Sequence, residues 1–545
     1  MRTRLLLPLL FTNLLLPLLF THLLLIPAAA RVPAQSSVGE VSFPNSGAAA
    51  AQADFLNGLA LLHNFEYDDA ARAFRKAQEK DPDFALAYWG EAMTHNHTLW
   101  EEQDLAAARG VLCRLASTPA ARIAKAKTER EKDYLRAVDI LFGEGAKHER
   151  DVRYADFMAS LHEKYPGDPE TTCFCALALL GSPENGRDIP TYMRAAALLE
   201  DIFYAHPNHP GAAHYLIHSF DDPVHAPLGL PAARAYSRIA PDAAHAQHMT
   251  SHIFFALGMW DDVVRANERA IAVVNRKRTA AGKPPQVCGH YNIWLQYACL
   301  QQGRFVDARR LLSACREQAT KTDSSLHAHG AVDLDTTSAG SVAQMRAQYL
   351  IVSKDWKGEV AGWDPGTGTP SFASLQNAYA AAIAAARRND ANAARNSLQE
   401  LEAVAAGLGP VFDAEGYSAA HPMRAVPGIE AAQVRALLLA QDGKNPEAAA
   451  LLEGISKEEF SLPYAFGPPD IALPSPELLG ELYLAMDRPA EARKAFETSL
   501  ARQPLRLPSL QGLARAARLA GDRAAAERTE ATLRRILRHA DKQEK

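Results

Sequence analysis

Two stretches near opposite ends of the chain share one spacing of apolar and small residues, and that spacing admits few folds. Residues 67–82 read YDDAARAFRKAQEKDP, with an aromatic first, then Ala70, Phe74, Ala77 and Pro82. Residues 489–504 read PAEARKAFETSLARQP and repeat the pattern with Ala492, Phe496, Ser499 and Pro504. Steps of three, four and seven put such residues on one face of a helix. Small side chains on that face let a second helix approach closely, and the phenylalanine fills the gap between them. Gly480 and Tyr483 lie upstream, where a preceding helix needs a small residue and an aromatic. Strand signals are scarce and Ala and Leu are abundant, which favours helix. The spacing predicts a chain built of paired helices.

The same spacing can be laid on other segments. LGMWDDVVRANERAI carries Gly258, Trp260 and Ala270 at the turn and second-helix positions. QQGRFVDARRLLSAC carries Gly303, Phe305 and Ala308, with Cys315 in place of a later alanine. Pro207 closes a unit after Ala195 and Leu199, Gly443 and Ala448 begin another, and Gly521 and Ala526 mark the last. This pattern resembles the tetratricopeptide (TPR) repeat, a helix–turn–helix unit of roughly 34 residues. The resemblance covers most of residues 51–540. It implies an all-α, TPR-like α-solenoid whose stacked units share one core and wind into a superhelix with a concave inner face. Irregular insertions interrupt it near 321–338, 356–370, 409–422 and 461–476, and long insertions of this kind are often functional or cover a groove. The expected organisation is a linker at 31–50, an N-terminal array at 51–320, an irregular helical region at 321–425 and C-terminal repeats at 426–545.

The first thirty residues follow a different rule. Arg2 and Arg4 precede a Leu-rich run that ends in Ala28, Ala29 and Ala30. A basic start, an apolar middle and small residues at the end are the order of a secretory signal, cleaved after residue 30 or as late as 34. Pro8, Pro17 and Pro27 favour removal over retention as a membrane anchor, which is the alternative for so long an apolar run. The expected location is therefore outside the cytoplasmic membrane, in the periplasm, the cell envelope or the medium, with no span left after cleavage. The resemblance is to exported bacterial TPR proteins, which implies scaffolding.

Composition excludes several functions. The formal charge is −5 and the isoelectric point is near 6.5, which gives no basic footprint for nucleic acid. Six cysteines in 545 residues do not form a disulfide framework. They are expected as small buried hydrophobes, with one disulfide as the alternative. HExxH, GxSxG, a phosphate loop and a dinucleotide fingerprint are absent; WGEAMTHNH, with Glu91 and His95, is a weak motif.

Histidine is the exception to this blandness. Eight of the nineteen histidines lie between residues 206 and 252. GAAHYLIHSFDDPVH supplies His214, His218, Asp221, Asp222 and His225, and PDAAHAQHMTSH supplies His245, His248 and His252. His214/His218 and His248/His252 are four apart, so each pair shares a helical face, opposite ordinary core residues such as Leu216, Ile217, Ile253 and Phe254. In the TPR resemblance that face lines the concave groove, together with His63, His97 and His290, with His95 and Glu91 as weaker contributors. Neutral imidazole is the commonest transition-metal ligand, and two on one helical face reach one ion. His214, His218, His245, His248, His252 and Asp221 are the expected ligand set for a divalent transition metal such as Zn, Cu, Fe or Ni. Two functions compete. The first is a scaffold that binds a protein or peptide in its groove. The second is a metal-binding protein or metal-dependent hydrolase or oxidoreductase. Asp222-Pro223 also reads as a plain turn.

Overall fold

The structure is a computed structural model that describes residues 37–321, 337–363, 370–414 and 417–542. Across these residues run 24 α-helices, with five short 3-10 turns and one two-residue strand pair, Asn96–His97 with Glu102–Gln103. Successive helices pack antiparallel along the chain, as in Gln52–His63 with Tyr67–Lys80 and Ala244–Ala256 with Trp260–Ala280. This is the all-α, TPR-like solenoid that the helical spacing predicts.

The spacing works through one recurrent contact. The Phe74 ring lies against Gly58 sixteen residues before it and Gly90 sixteen residues after it, and a Cβ at either glycine would collide with the ring. Phe496 stands in the same relation to Gly480 and Gly512. A bulky ring thus occupies the space that two missing side chains leave, at close-packed density. The hairpin turns repeat as well. Gly258 (φ 64°), Gly303 (φ 69°), Gly443 (φ 78°) and Gly521 (φ 77°) each stand two residues before the next helix begins, in the left-handed region that glycine tolerates.

The C-terminal helices do not trail away from the array. Trp260 Nε1 donates to the Leu505 carbonyl at 3.1 Å, the Asp541 N–H donates to the Gly303 carbonyl at 3.2 Å, and Arg538 pairs with Asp261. Arg506, fully buried, pairs with Glu477 at 2.8 Å and donates to the Tyr297 hydroxyl at 2.9 Å. Repeats near the C-terminus therefore pack on the hairpins around residues 258–306. The 461–476 insertion goes inside with them: Gly467 lies against Trp294, where a Cβ would not fit, and Phe466 follows the same path inward.

This closure changes the burial of the inner helices. In Tyr67–Lys80 the buried residues form one face. In Pro210–Phe220 and Ala244–Ala256 every residue is buried. Residues 37–48, expected as part of a linker, also cover the core: Val38 and Phe43 are buried, and the Phe43 ring packs on Tyr134 at 5.0 Å and Phe55 at 5.6 Å. Cys288 and Cys315 form a disulfide, while Cys173, Cys175 and Cys299 are buried free thiols. No helix among the described residues is long and apolar enough to cross a membrane. The expected signal segment at 1–30 and parts of the insertions lie outside the described residues.

Candidate metal centre

Pro210–Phe220 begins with proline, whose missing N–H costs nothing at a helix start, and the His209 ring caps it by accepting from the Ala212 N–H at 3.1 Å. The helix carries His214 and His218 one turn apart, and Ala244–Ala256 carries His245, His248 and His252 on the face toward it. His214, His218 and His245 each offer a ligand atom, and the three lie within 4.8 Å of one another. The same holds for His248, His252 and His290, the last at the start of His290–Gln301. The array is continuous: ring centroids are 5.4 Å apart for His218 and His252 and 6.0 Å apart for His245 and His248.

Hydrogen-bond partners decide which nitrogen of each ring carries the proton. His214 Nδ1 lies 2.6 Å from the His63 carbonyl oxygen, which only accepts, so Nδ1 is protonated and Nε2 keeps its lone pair. His218 Nδ1 faces Asp221 Oδ2 at 3.4 Å, and His252 Nδ1 faces the same oxygen at 2.9 Å. His248 Nδ1 lies 2.7 Å from Asn267 Oδ1, an acceptor because Asn267 Nδ2 donates to the Val263 carbonyl at 2.9 Å. Nε2 of His214, His218 and His245 is in each case buried with no hydrogen-bond partner. Burial drives the pKa of His214, His218, His245, His248 and His252 down, opposed for His214 by its bond to the His63 carbonyl and deepened for His218, His245 and His252 by neighbouring imidazoles. His214 falls to about 3. Neutral rings whose Nδ1 faces an acceptor, as in His214 and His218, keep the Nε2 lone pair and are competent ligands at neutral pH.

Aromatic rings close the nest. Phe65 lies 4.3 Å from His214 and 5.5 Å from His245 by ring centroids; Trp294 stacks on His252 at 4.6 Å, and Phe466 packs on His252 at 4.9 Å and His218 at 6.0 Å. Carboxylates in the neighbourhood are neutralised in part, Arg187 being shared by Asp221 and Asp222 and Lys277 by Glu66 and Asp69. Asp221 pairs with the buried Arg187, which also approaches Asp222 at 3.5 Å, and Glu66 pairs with Lys277 at 2.7 Å.

Comparison with known proteins adds little at this point. No family model matches the chain, and no curated protein does. Similar solved structures include the TPR domain of P58(IPK) (14% identity, 87% of this chain and 99% of that one, TM-score 0.22). Yeast Tom70 (12%, 88% and 99%, TM-score 0.32) and a human IFIT1 dimer with m7Gppp-AAAA (14%, 92% and 92%, TM-score 0.30) are others. Superposition at this level carries no argument about the site, and the helical-repeat description stands on the chain's own contacts.

The residues singled out from sequence fall into three groups. His214, His218, His245, His248, His252 and His290 are brought together, the first five buried and His290 half-buried: the expectation of an open groove face is corrected, because Phe65, Trp294 and Phe466 cover most of it and only the His245 side borders a cavity. Asp221 accepts from His252 Nδ1 and pairs with Arg187, which orients the imidazoles. One of its carboxylate oxygens also lies within 4.8 Å of ligand atoms of His218 and His252, which keeps it beside the expected ligands. Asp222 accepts from the Val224 and His225 N–H groups and from His225 Nδ1 at 2.9 Å, a turn-forming role.

The remainder stand elsewhere. His63 is fully buried and is not a groove residue: its Nε2 reaches Glu170 Oε2 at 2.7 Å and its Nδ1 the Tyr215 hydroxyl at 2.9 Å. His209 Nε2 reaches Glu170 Oε1 at 3.1 Å, completing a node in which both imidazoles and both carboxylate oxygens are bonded. Burial raises the Glu170 pKa, but the two histidines outweigh it and hold the group well below the usual carboxylate range. Glu91 is buried between Arg75 (3.0 Å), Arg114 and Gln78 (2.6 Å), which makes it a compensating charge. His95 and His97 line an open cavity of about 1440 Å³, with Tyr67, Trp100 and His245 also on its wall. His97 stacks on Tyr67 at 4.2 Å. Sequence reading passed over Phe65, Arg187, Asn267, Glu170 and His209; only His209, in HPNHPG, carried a local signal, that of a cap beside proline.

Proposed function

We propose that this chain is a helical-repeat scaffold that holds a transition-metal ion through His214, His218 and His245. The observation that carries this reading is the trio of buried, unpartnered Nε2 atoms. An unpaired buried polar atom costs about 1–3 kcal/mol, and three on rings whose ligand atoms cluster within 4.8 Å are costly unless something electrophilic joins them. In contrast, the His63–Glu170–His209 node satisfies itself and calls for no ion. Bound there, an ion would be a Lewis acid beside the open cavity, reached from the His245 side.

Elemental analysis of protein purified without a histidine tag tests the reading. About one equivalent of metal per chain is expected at this trio, lost in His218→Ala and His245→Ala while the far-ultraviolet circular dichroism stays helical. Failure to take up zinc, copper, nickel or iron, even after addition, sinks it.

The cavity favours a second reading, that the scaffold binds a polypeptide segment. Its size and its mixed wall of Tyr67, Trp100, Arg72, Arg75, Asp68 and Glu102 suit an extended polar chain with aromatic contacts. Peptides selected from a random library on the wild type should lose tenfold or more in affinity for Trp100→Ala; a library that yields no binder removes the idea. Export is part of the proposal and rests on residues 1–34. Amino-terminal sequencing of the mature protein from envelope and medium should begin after residue 30 or 34.

A further inference from the structure

The second trio of imidazoles poses a sharper electrostatic problem than the first. His248 Nε2 and His252 Nε2 stand 3.2 Å apart. Both rings hold their protons on Nδ1, toward Asn267 and Asp221, so two lone pairs face each other across that gap. His290 Nε2 lies 2.9 Å from His248 Nε2. A proton on His290 would bond one of the facing nitrogens and leave the other opposed. A cation among the three relieves all of them at once. With metal–nitrogen bonds near 2.0–2.1 Å, neighbouring ligands of a trigonal or tetrahedral ion stand about 3.3–3.6 Å apart, close to the separation of His248 and His252.

Ligand charge then selects the ion. An imidazole brings no charge to an ion it ligates, and the carboxylates nearest the two trios, Asp221 and Glu66, are paired with Arg187 and Lys277, which Asp222 and Asp69 share. The cost of burying an ion rises with the square of its charge in a continuum of low dielectric. Two divalent ions side by side would place four positive charges in a shell of Phe65, Trp294 and Phe466, against the one negative charge that a shared Arg187 leaves on Asp221 and Asp222. Among the ions that take imidazole, copper has a monovalent state that accepts three ligands.

We propose that the molecule binds two cuprous ions, one at His214, His218 and His245 and a second at His248, His252 and His290. Asp221 joins the two sites by accepting Nδ1–H from His252 and facing Nδ1 of His218. This deepens the metal-binding reading above and rests on it for the first ion only.

The test titrates the full-length mature chain anaerobically with copper and ascorbate, and separately with Zn²⁺, followed by gel filtration and elemental analysis. Two copper ions per chain are expected for the wild type, and one each for His245→Ala and His290→Ala. His290 is partly exposed at the start of its helix, so its loss leaves the core intact. Asn267→Ala, which keeps all six rings, should weaken the second ion by about 10–100-fold and leave the first unchanged. One copper in the wild type, lost in His245→Ala and retained in His290→Ala, overturns the second site and spares the earlier reading. One copper lost only in His290→Ala overturns the pair and that reading of the first trio. Zinc filling both sites as tightly as copper overturns the cuprous assignment. No copper at all overturns both.

Discussion

Phe65 occupies a position that four other hairpins give to glycine. Its φ is 55°, two residues before the Tyr67–Lys80 helix, where Gly258, Gly303, Gly443 and Gly521 stand before theirs. A bulky residue in the left-handed region costs on the order of 1 kcal/mol or more, and what it gains here is a ring against His214, His218 and His245. Phe65 is thus a local strain held in place by the nest that it covers. Replacing it by alanine should destabilise the fold by about 3–5 kcal/mol through the lost ring. Replacing it by glycine should cost about 1 kcal/mol less than alanine does, because the turn itself relaxes. Urea unfolding of the two variants measures the difference, and an alanine variant at least as stable as the glycine one would show the turn to be unstrained. The carboxyl of Glu430 is a second residue under stress. It is fully buried, one oxygen accepts from Gln376 at 2.7 Å and the other has no hydrogen-bond partner. Burial raises its pKa well above the ordinary value, with Asp470 adding to the rise against the Gln376 bond. The folded state therefore holds a proton that the unfolded chain releases near pH 4.5, so stability is highest below that pH and falls as pH rises toward the folded pKa. Glu430→Gln should raise the melting midpoint at pH 8 relative to wild type, and the gap should shrink toward pH 4. Parallel melting curves across that range that never converge would contradict this assignment.

At the scale of helices, glycine carries two opposite messages. Gly90 lies against the Phe74 ring with no room for a methyl group, while Gly110 lies in Leu105–Leu115 with nothing within 4 Å of where its Cβ would be. Gly90→Ala should destabilise by about 1–3 kcal/mol through overpacking; Gly110→Ala should stabilise by about 0.5–1 kcal/mol through helix propensity. Chemical denaturation resolves both, and equal signs for the two would refute the packing argument. The Phe74 and Phe496 contacts were legible in the sequence because they repeat at a fixed distance along one helical face. The histidines were legible for the same reason: a four-residue step puts His214 with His218 and His248 with His252, whatever covers them. What covers them was not legible. Periodicity reports which residues share a face and says nothing of a segment more than two hundred residues away, and Phe466, Gly467 and the C-terminal repeats come from that distance. The proton positions were hidden too. They depend on a carbonyl at His63, an amide at Asn267 and a carboxylate held by Arg187, and of these only Asp221, three residues after His218, has a helical spacing to a ring that it faces.

The closure that defines the whole molecule hangs on few polar contacts. Arg506 is buried with Glu477 and bridges to Tyr297 and the Ala472 carbonyl at 3.0 Å. Removing one partner of a buried pair leaves the other charge uncompensated, so Arg506→Ala should cost about 3–5 kcal/mol. That loss should also raise hydrogen exchange around Trp294 and Phe466. Exchange confined to the C-terminal helices would mean that the contact does not hold the nest shut. Cavities flank that nest on two sides: the large one reaches His245, and a second of about 230 Å³ is walled in part by Arg187 and Phe466. The two central helices, Pro210–Phe220 and Ala244–Ala256, are buried along their full length. An ion held on the side of the nest away from the His245 cavity can therefore leave only when covering segments open. Its lifetime is then set by the free energy of that opening more than by the bonds around it, and a variant that loosens the distant closure should turn a trapped ion into an exchangeable one without changing a single ligand.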